Sequence, residues 1–143
     1  MRIAARALIM KDNRLLLVNA YADRRLDLWC APGGGVEKHQ SLVENLAREI
    51  YEETGLTITV GAPAMINEFH LPDRNFHQID LFFRCTIEKG ELDPDWRDPE
   101  GVVNQSRFFS RSEMAKIRFK PDSLIKAAWG NEPIYDPLET LIR

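Results

Sequence analysis

Long apolar runs are absent from this sequence. No segment reaches the roughly 20 apolar residues that cross a bilayer, so no membrane-spanning helix is expected. The opening stretch, Met1 to Met10, is apolar but carries Arg2 and Arg6 and is followed directly by Lys11-Asp12-Asn13-Arg14. A secretory signal would need a longer uncharged core and a small-residue cleavage site. The stretch therefore reads as a β-strand of an intracellular, cytoplasmic protein. Cysteine is scarce as well: Cys30 and Cys85 lie far apart with no CxxC spacing. That argues against a disulfide framework or a zinc site and leaves two small core-filling thiols. Positive charge is also in short supply. With a net charge of −3 the chain has no electrostatic footprint for duplex nucleic acid.

What is present is ordinary globular material. The chain has 143 residues, 44% apolar and 29% charged, enough for one domain with a hydrophobic core and too few for two, so a single domain over 1–143 is expected. No repeat or low-complexity tract appears. Residues 2–10 and 15–20 flank a polar turn, Lys11 to Arg14, and read as a β-hairpin. A polar loop, Tyr21 to Asp27, leads to Trp29-Cys30-Ala31-Pro32 and then Gly33-Gly34-Gly35, which can only be a tight turn with exposed backbone. Leu56 to His70 is β-like with a break at Gly61-Ala62-Pro63. Gln78 to Ile87 alternates, with Ile79, Leu81, Phe83, Cys85 and Ile87 on one face and Gln78, Asp80, Phe82, Arg84 and Thr86 on the other. Glu88 to Gly101 reads as a long acidic loop and Gln105 to Phe109 as a strand. Ser110 to Glu113 carries a capping-box pattern before a short helix, and Pro121-Asp122 opens another helix ending near Trp129. The tail from Asn131 shows no decisive pattern. Helices interspersed among strands and hairpins predict an α+β fold, a mixed sheet covered by helices.

The strongest helix lies at residues 41–54. Ser41 with Glu44 three residues on marks its start, and Gly55 supplies the stop. At about 100° per residue, Val43, Leu46, Ala47, Ile50 and Thr54 share one arc, while Glu49, Glu52 and Glu53 share another. Arg48, four residues before Glu52, can hold that carboxylate in place. Three carboxylates on one patch repel one another by roughly 1 kcal/mol per pair at ~4 Å in water, and by more in a shielded cleft. A divalent cation turns that repulsion into attraction. All-oxygen ligands, with no histidine or thiolate, select Mg²⁺ or Mn²⁺. On its own a Glu-rich face is an ordinary solvated surface, so the glycine turn ahead of the helix carries weight.

Turn and helix together read Gly34, five residues, Gln40, seven residues, then Arg48-Glu49-Ile50-Tyr51-Glu52-Glu53-Thr54-Gly55-Leu56. This closely resembles the Nudix box, with eight of nine specified positions matching in identity or class. The departure is Gln40, where the box carries glutamate: the shape and hydrogen-bonding groups are kept and the charge is lost. The resemblance implies an α/β/α sandwich with a mixed β-sheet between helices. It also implies a metal-dependent pyrophosphohydrolase acting on a nucleoside diphosphate linked to another moiety, such as a nucleoside triphosphate or a sugar nucleotide. Glu52 and Glu53 would be the principal Mg²⁺ (or Mn²⁺) ligands, Glu49 a third ligand or the base that activates water, and Arg48 their orienting partner. The Gly33 carbonyl would face the metal. Glu100, in the loop seven residues before Arg107, is the best candidate for one more acidic ligand, with Asp95 and Asp98 competing.

Substrate choice must come from outside the box. Arg24, Arg25 and Arg74 are candidates for phosphate contacts, Tyr21, Trp29, Phe69, Phe76 and Phe82 for base stacking, and His70 and His77 flank a loop within reach of the cleft. Of these, Arg24, Trp29, Arg74 and Phe76 are the leading substrate-binding candidates. The expected partner is a small nucleotide-type molecule, with no duplex nucleic acid and no membrane, and a homodimer is left open. The alternative reading is a Nudix-fold nucleotide-binding or regulatory module with little or no turnover, and Gln40 is its only support.

Overall fold

The computed structural model describes residues 1–19, 27–101, 103 and 105–140. The hairpin predicted at the start is present as β1 (Arg2–Lys11) and β2 (Arg14–Asn19), antiparallel, with Met10 opposite Leu15 and Lys11 opposite Arg14. Its turn places Asp12 and Asn13 at φ of 51° and 62°. Two successive positive-φ residues follow the twist of the flanking strands, and Asp and Asn tolerate them best after glycine. Two short strands follow, β3 (Leu28–Cys30) and β4 (Gly33–Gly35), before helix α1 (Leu42–Thr54).

The two longest strands of the sheet follow. β5 (Thr57–Leu71) and β6 (Phe76–Lys89) run antiparallel, joined by a 3-10 turn at Pro72–Arg74. The register of β5 shifts on either side of Pro63, at the break the sequence marks with Gly61-Ala62-Pro63. β6 lies parallel to β1 from Arg2/Gln78 to Ile9/Cys85. The other edge of β1 pairs first with β4 and then with β2. β7 (Gln105–Ser110) and β3 both pair antiparallel with β2. Helix α2 (Arg111–Met114), β8 (Arg118–Phe119), which joins β3, and helix α3 (Leu124–Trp129) come next. β9 (Ile134–Tyr135) and β10 (Glu139–Thr140) add in parallel to β5. The sheet is mixed, as expected.

Its two faces carry separate cores. Leu46 and Ile50 of α1, both fully buried, pack over Ala5, Ala7, Ile9, Leu16 and Phe83. Small alanines at 5 and 7 leave room for the helix to seat closely on the strand. The opposite face gathers Leu8, Leu15, Leu17, Phe82 and Phe109 under Met114 of α2 and Leu124 of α3. β1 is thus buried on both faces, which is why its sequence is almost continuously apolar. The result is an α/β/α sandwich. No helix among the described residues is long and apolar enough to cross a membrane. Both cysteines are free, Cys85 buried in the α1-side core and Cys30 half-buried.

Two expectations need correction. α3 starts at Leu124 rather than at Pro121-Asp122, because residues 121–123 form a turn closed by the Leu124 N–H donating to the Pro121 carbonyl at 3.1 Å. Within α1, Val43 is 47% exposed while Asn45 is fully buried. The N-terminal half of the helix lies over polar backbone of the glycine loop, which wants hydrogen-bond partners rather than an apolar side chain.

Candidate active site

The site is built outward from α1. Ser41 caps the helix, its Oγ accepting from the Glu44 N–H at 3.0 Å. Gly55, at φ 76°, closes the other end by donating its N–H to the Tyr51 carbonyl at 2.8 Å. Between these ends the carboxylates project. An oxygen each from Glu49, Glu52 and Glu100 fall within 4.8 Å of one another. The acidic loop after β6 delivers Glu100 to the helix, and Asp98 shapes its turn. The Asp98 Oδ1 accepts from the Glu100 N–H at 3.0 Å and its Oδ2 from the Val103 N–H at 3.0 Å. Asp95 instead lies in a separate turn, where its N–H donates to Asp93.

Arg48 organises the helical side of the cluster. Its Nη1 donates to both Glu52 oxygens at 3.2 and 3.3 Å and lies 3.6 Å from Glu49. Its Nη2 donates to Asn45 Oδ1 at 3.0 Å and to Gln40 Oε1 at 3.3 Å, with Glu37 at 3.5 Å. Gln40 therefore works through its amide oxygen as an acceptor for Arg48, a task that needs no charge. Asn45 ties the helix to the glycine loop: its Oδ1 also accepts from the Glu37 N–H, and its Nδ2 donates to the Gly35 carbonyl, both at 3.0 Å. Gly34 lies flat against Glu49, and an added Cβ would come within 2.9 Å of that carboxyl.

Glu53 occupies a different environment. It is only 7% exposed, and its Oε2 accepts from the Gly33 N–H at 2.9 Å. Burial pushes its carboxyl up to about 8; Arg6 and the Gly33 hydrogen bond oppose the rise, and Glu49 adds to it. Burial also raises Glu49, against the pull of Arg48 and reinforced by Glu100 and Glu52. The contact made at Gly33 is thus through its amide. Two acidic groups held partly out of water beside further carboxylates form a site short of positive charge. A hard divalent cation fits it, since every donor at the cluster is a carboxylate oxygen.

The substrate candidates separate. Arg24, with Tyr21 and Arg25, lies outside the described residues. Trp29 is corrected to a core residue: it is 7% exposed and meets Phe109 edge to face at 4.9 Å, because β3 turns the indole toward the α2–α3 layer. Arg74 is exposed in the 3-10 turn at the tip of the β5–β6 hairpin. Phe76 sits beside Phe69 at 6.0 Å and borders an open depression with Arg2, Gly35 and Val36. His70 and His77 face each other across the hairpin at 6.0 Å. Phe82 is buried in the core.

Sequence reasoning missed a cavity of about 100 Å³ beside Arg6, lined also by Cys30, Asn67, Phe69, Asp80 and Lys120. The Arg6 Nε donates to Asp80 Oδ2 at 3.4 Å, and Gln78 Nε2 donates to Asp80 Oδ1 at 2.6 Å. Asp80 is 6% exposed and Gln78 3%. Arg6 lines this cavity, and its charge also acts on Glu53, lowering that carboxyl against the effect of burial. The available signal was the pair Gln78 and Asp80 on the same face of the strand as Phe82, a polar pair continuing an apolar position. Asn45 offered a similar one, an amide within a helix where asparagine competes with the backbone.

Comparison with known proteins agrees with this architecture. The NUDIX domain family matches residues 1–129. An ADP-ribose pyrophosphatase of Methanocaldococcus jannaschii is 29% identical over 126 residues, 87% of this chain and 70% of that protein. Diphosphoinositol polyphosphate phosphohydrolase 2 of Rattus norvegicus is 29% identical over 107 residues, 75% of this chain. This chain spans only 55% of the length of that second relative. Among solved structures, the MutT protein from Bacillus halodurans superposes with a TM-score of 0.75 at 21% identity, covering 94% of this chain and 87% of that one. A UDP-X diphosphatase gives 0.74 at 21% identity, covering 94% of this chain and 66% of that one. At such identities the structural likenesses establish the fold.

Proposed function

This chain belongs to the NUDIX family and is a pyrophosphohydrolase of that type; we propose that it hydrolyses the diphosphate linkage of a nucleoside diphosphate joined to another moiety, with Mg²⁺ or Mn²⁺ as cofactor. The observation that carries this reading is the convergence of Glu49, Glu52 and Glu100 oxygens within 4.8 Å. In it, Glu52 and Glu53 would be the principal ligands, Glu100 would complete the set from the acidic loop, and the Gly33 carbonyl would be a further oxygen donor. When bound, a divalent cation neutralises the diphosphate oxygens and lowers the pKa of a water.

The chain's own groups do the rest. Arg48 fixes the direction of Glu52 through two hydrogen bonds from one nitrogen. Glu49, partly desolvated and pressed against Gly34, serves as a further ligand or accepts the proton of the attacking water. That water adds to one phosphorus, the bridging P–O bond breaks, and the products are a nucleotide and a phosphorylated second moiety. The partly apolar cavity beside Arg6 and Asp80 is the candidate seat for one of those moieties. Arg74 and Phe76, on the neighbouring hairpin, stay as outer substrate contacts. An ADP-ribose-like substrate is favoured by the name of the M. jannaschii relative. Cytoplasmic placement is supported by the two unpaired thiols.

The alternative, a module without turnover, drew on Gln40. That side chain meets Arg48, so the substitution takes no carboxylate from the cluster. The test is a panel of nucleoside triphosphates, sugar nucleotides and dinucleoside polyphosphates with Mg²⁺, read by phosphatase-coupled phosphate release and product identification. Hydrolysis to a nucleotide and a phosphorylated partner is expected. Metal-dependent ligand binding with no turnover on any of them would favour the alternative.

A further inference from the structure

The acidic loop supplies Glu100, yet nothing in a loop of exposed Asp, Glu and Pro residues explains how that carboxylate is held against a helix. The contacts of Trp96 do. Its indole Nε1 donates to the Glu52 carbonyl at 2.9 Å. That carbonyl belongs to the last turn of α1, where the regular i+4 partner would be the Leu56 N–H. Leu56 donates instead to Thr54 Oγ1 at 3.2 Å, so the Glu52 oxygen would otherwise be one of the unpaired acceptors of a helix C-terminus. The ring meets Tyr51 edge to face, with centroids 5.5 Å apart. It also lies directly on Gly55, where an added Cβ would come within 2.9 Å of the indole carbons. The glycine of the box thus has two tasks, ending the helix and seating the tryptophan.

We propose that Trp96 is a positioning residue that clasps the acidic loop onto the end of α1 and so brings Glu100 to the carboxylates of Glu49 and Glu52. The clasp closes on the backbone of Glu52, while the Glu52 side chain lies in the cluster. Loop and helix are therefore registered to each other at the residue whose carboxylate needs the register. Three residues separate Trp96 from Glu100, and one of them, Asp98, accepts the Glu100 and Val103 N–H groups on its side chain, which makes the connection a shaped turn rather than a slack tether. The inference rests on the metal reading given above.

The test is a double-mutant cycle read by Mn²⁺ binding to the full chain, using calorimetry and the loss of free-Mn²⁺ paramagnetic signal. Trp96→Ala should weaken Mn²⁺ by about tenfold, the low end of what loss of a supporting residue costs. In the Glu100→Gln background the same change should cost nothing further, because Trp96 acts through Glu100. Trp96→Phe keeps the ring on Gly55 and loses only the N–H, so its affinity should fall between wild type and Trp96→Ala; it also serves if the alanine variant folds poorly. A full additional loss in the Glu100→Gln background, or unchanged Mn²⁺ affinity in Trp96→Ala, would overturn the clasp. Glu52→Gln separates this failure from that of the metal reading. If Glu52→Gln weakens Mn²⁺ and Trp96→Ala does not, the clasp alone falls; if Glu52→Gln binds Mn²⁺ as wild type does, the metal reading falls and takes the clasp with it.

Discussion

Replacing Glu53 by glutamine should make the metal-free protein more stable at pH 8 while destroying its activity. The folded chain holds this carboxyl at about 8, against an ordinary value of 4.5. Between those two values the unfolded chain releases the proton and the folded chain keeps it, so stability falls as pH rises through the interval. Below pH 4.5 both states are protonated and no penalty exists. At about 1.4 kcal/mol per pH unit, the gap caps the penalty above pH 8 at about 5 kcal/mol, and relaxation with water entry reduces it to a few kcal/mol. Glutamine retains an oxygen for the Gly33 N–H and carries no charge, and Arg6 keeps Asp80 as its partner. For a chain of this size each kcal/mol moves Tm by about 2–4 °C, so Glu53→Gln should gain at least about 4 °C at pH 8 in EDTA and almost nothing at pH 4.5. Mg²⁺ should raise the Tm of the wild type by more than that of the variant. Differential scanning calorimetry at both pH values, with and without Mg²⁺, gives the four numbers. A variant less stable than wild type at pH 8 in EDTA would refute the reasoning, for it would mean the buried carboxylate is satisfied without a metal.

Other residues give sharper local readouts. Arg48→Ala should cut kcat and Mn²⁺ affinity by about 10–100-fold, since it removes both hydrogen bonds to Glu52, while leaving Tm within a few degrees; kinetics and calorimetry check this. Asn45→Leu should cost about 2–4 kcal/mol in urea unfolding, because three partly buried hydrogen bonds, to the Glu37 N–H, the Gly35 carbonyl and Arg48, are lost at about 0.5–1.5 kcal/mol each. Ile50→Ala, on the fully buried face of α1, should cost about 2–5 kcal/mol with kcat/KM little changed per folded molecule, as judged by activity normalised to the folded fraction.

The parts of this molecule that were legible in its sequence are those that local chemistry determines. The β1–β2 hairpin is written in a polar turn between two apolar runs, and α1 in Ser41, Gly55 and the two arcs of its wheel. The spacing of Gly34, Arg48, Glu49 and Glu52 made this part of the candidate site legible because one helix and one turn hold it, whereas Glu100 comes from a distant loop. Contacts between distant segments were opaque. Arg6 and Asp80 are 74 residues apart, and only the pairing of β1 with β6 brings them to one cavity. Trp96 reads as a loop aromatic until the end of α1 is seen beneath it. Trp29 looked like a stacking platform because its neighbours are a loop and a glycine turn, whereas its environment is set by β7 and the α2–α3 layer. β9 and β10, two residues each, are too short to display any period and form only because β5 offers them an edge.

The most direct test of the carboxylate site is a crystal soaked in Mn²⁺ and measured at the manganese absorption edge. An anomalous peak about 2 Å from carboxylate oxygens of Glu52 and its neighbours Glu49, Glu53 or Glu100 is the predicted result. A bound Mn²⁺ located elsewhere in the chain, with these glutamates holding none, would contradict the account.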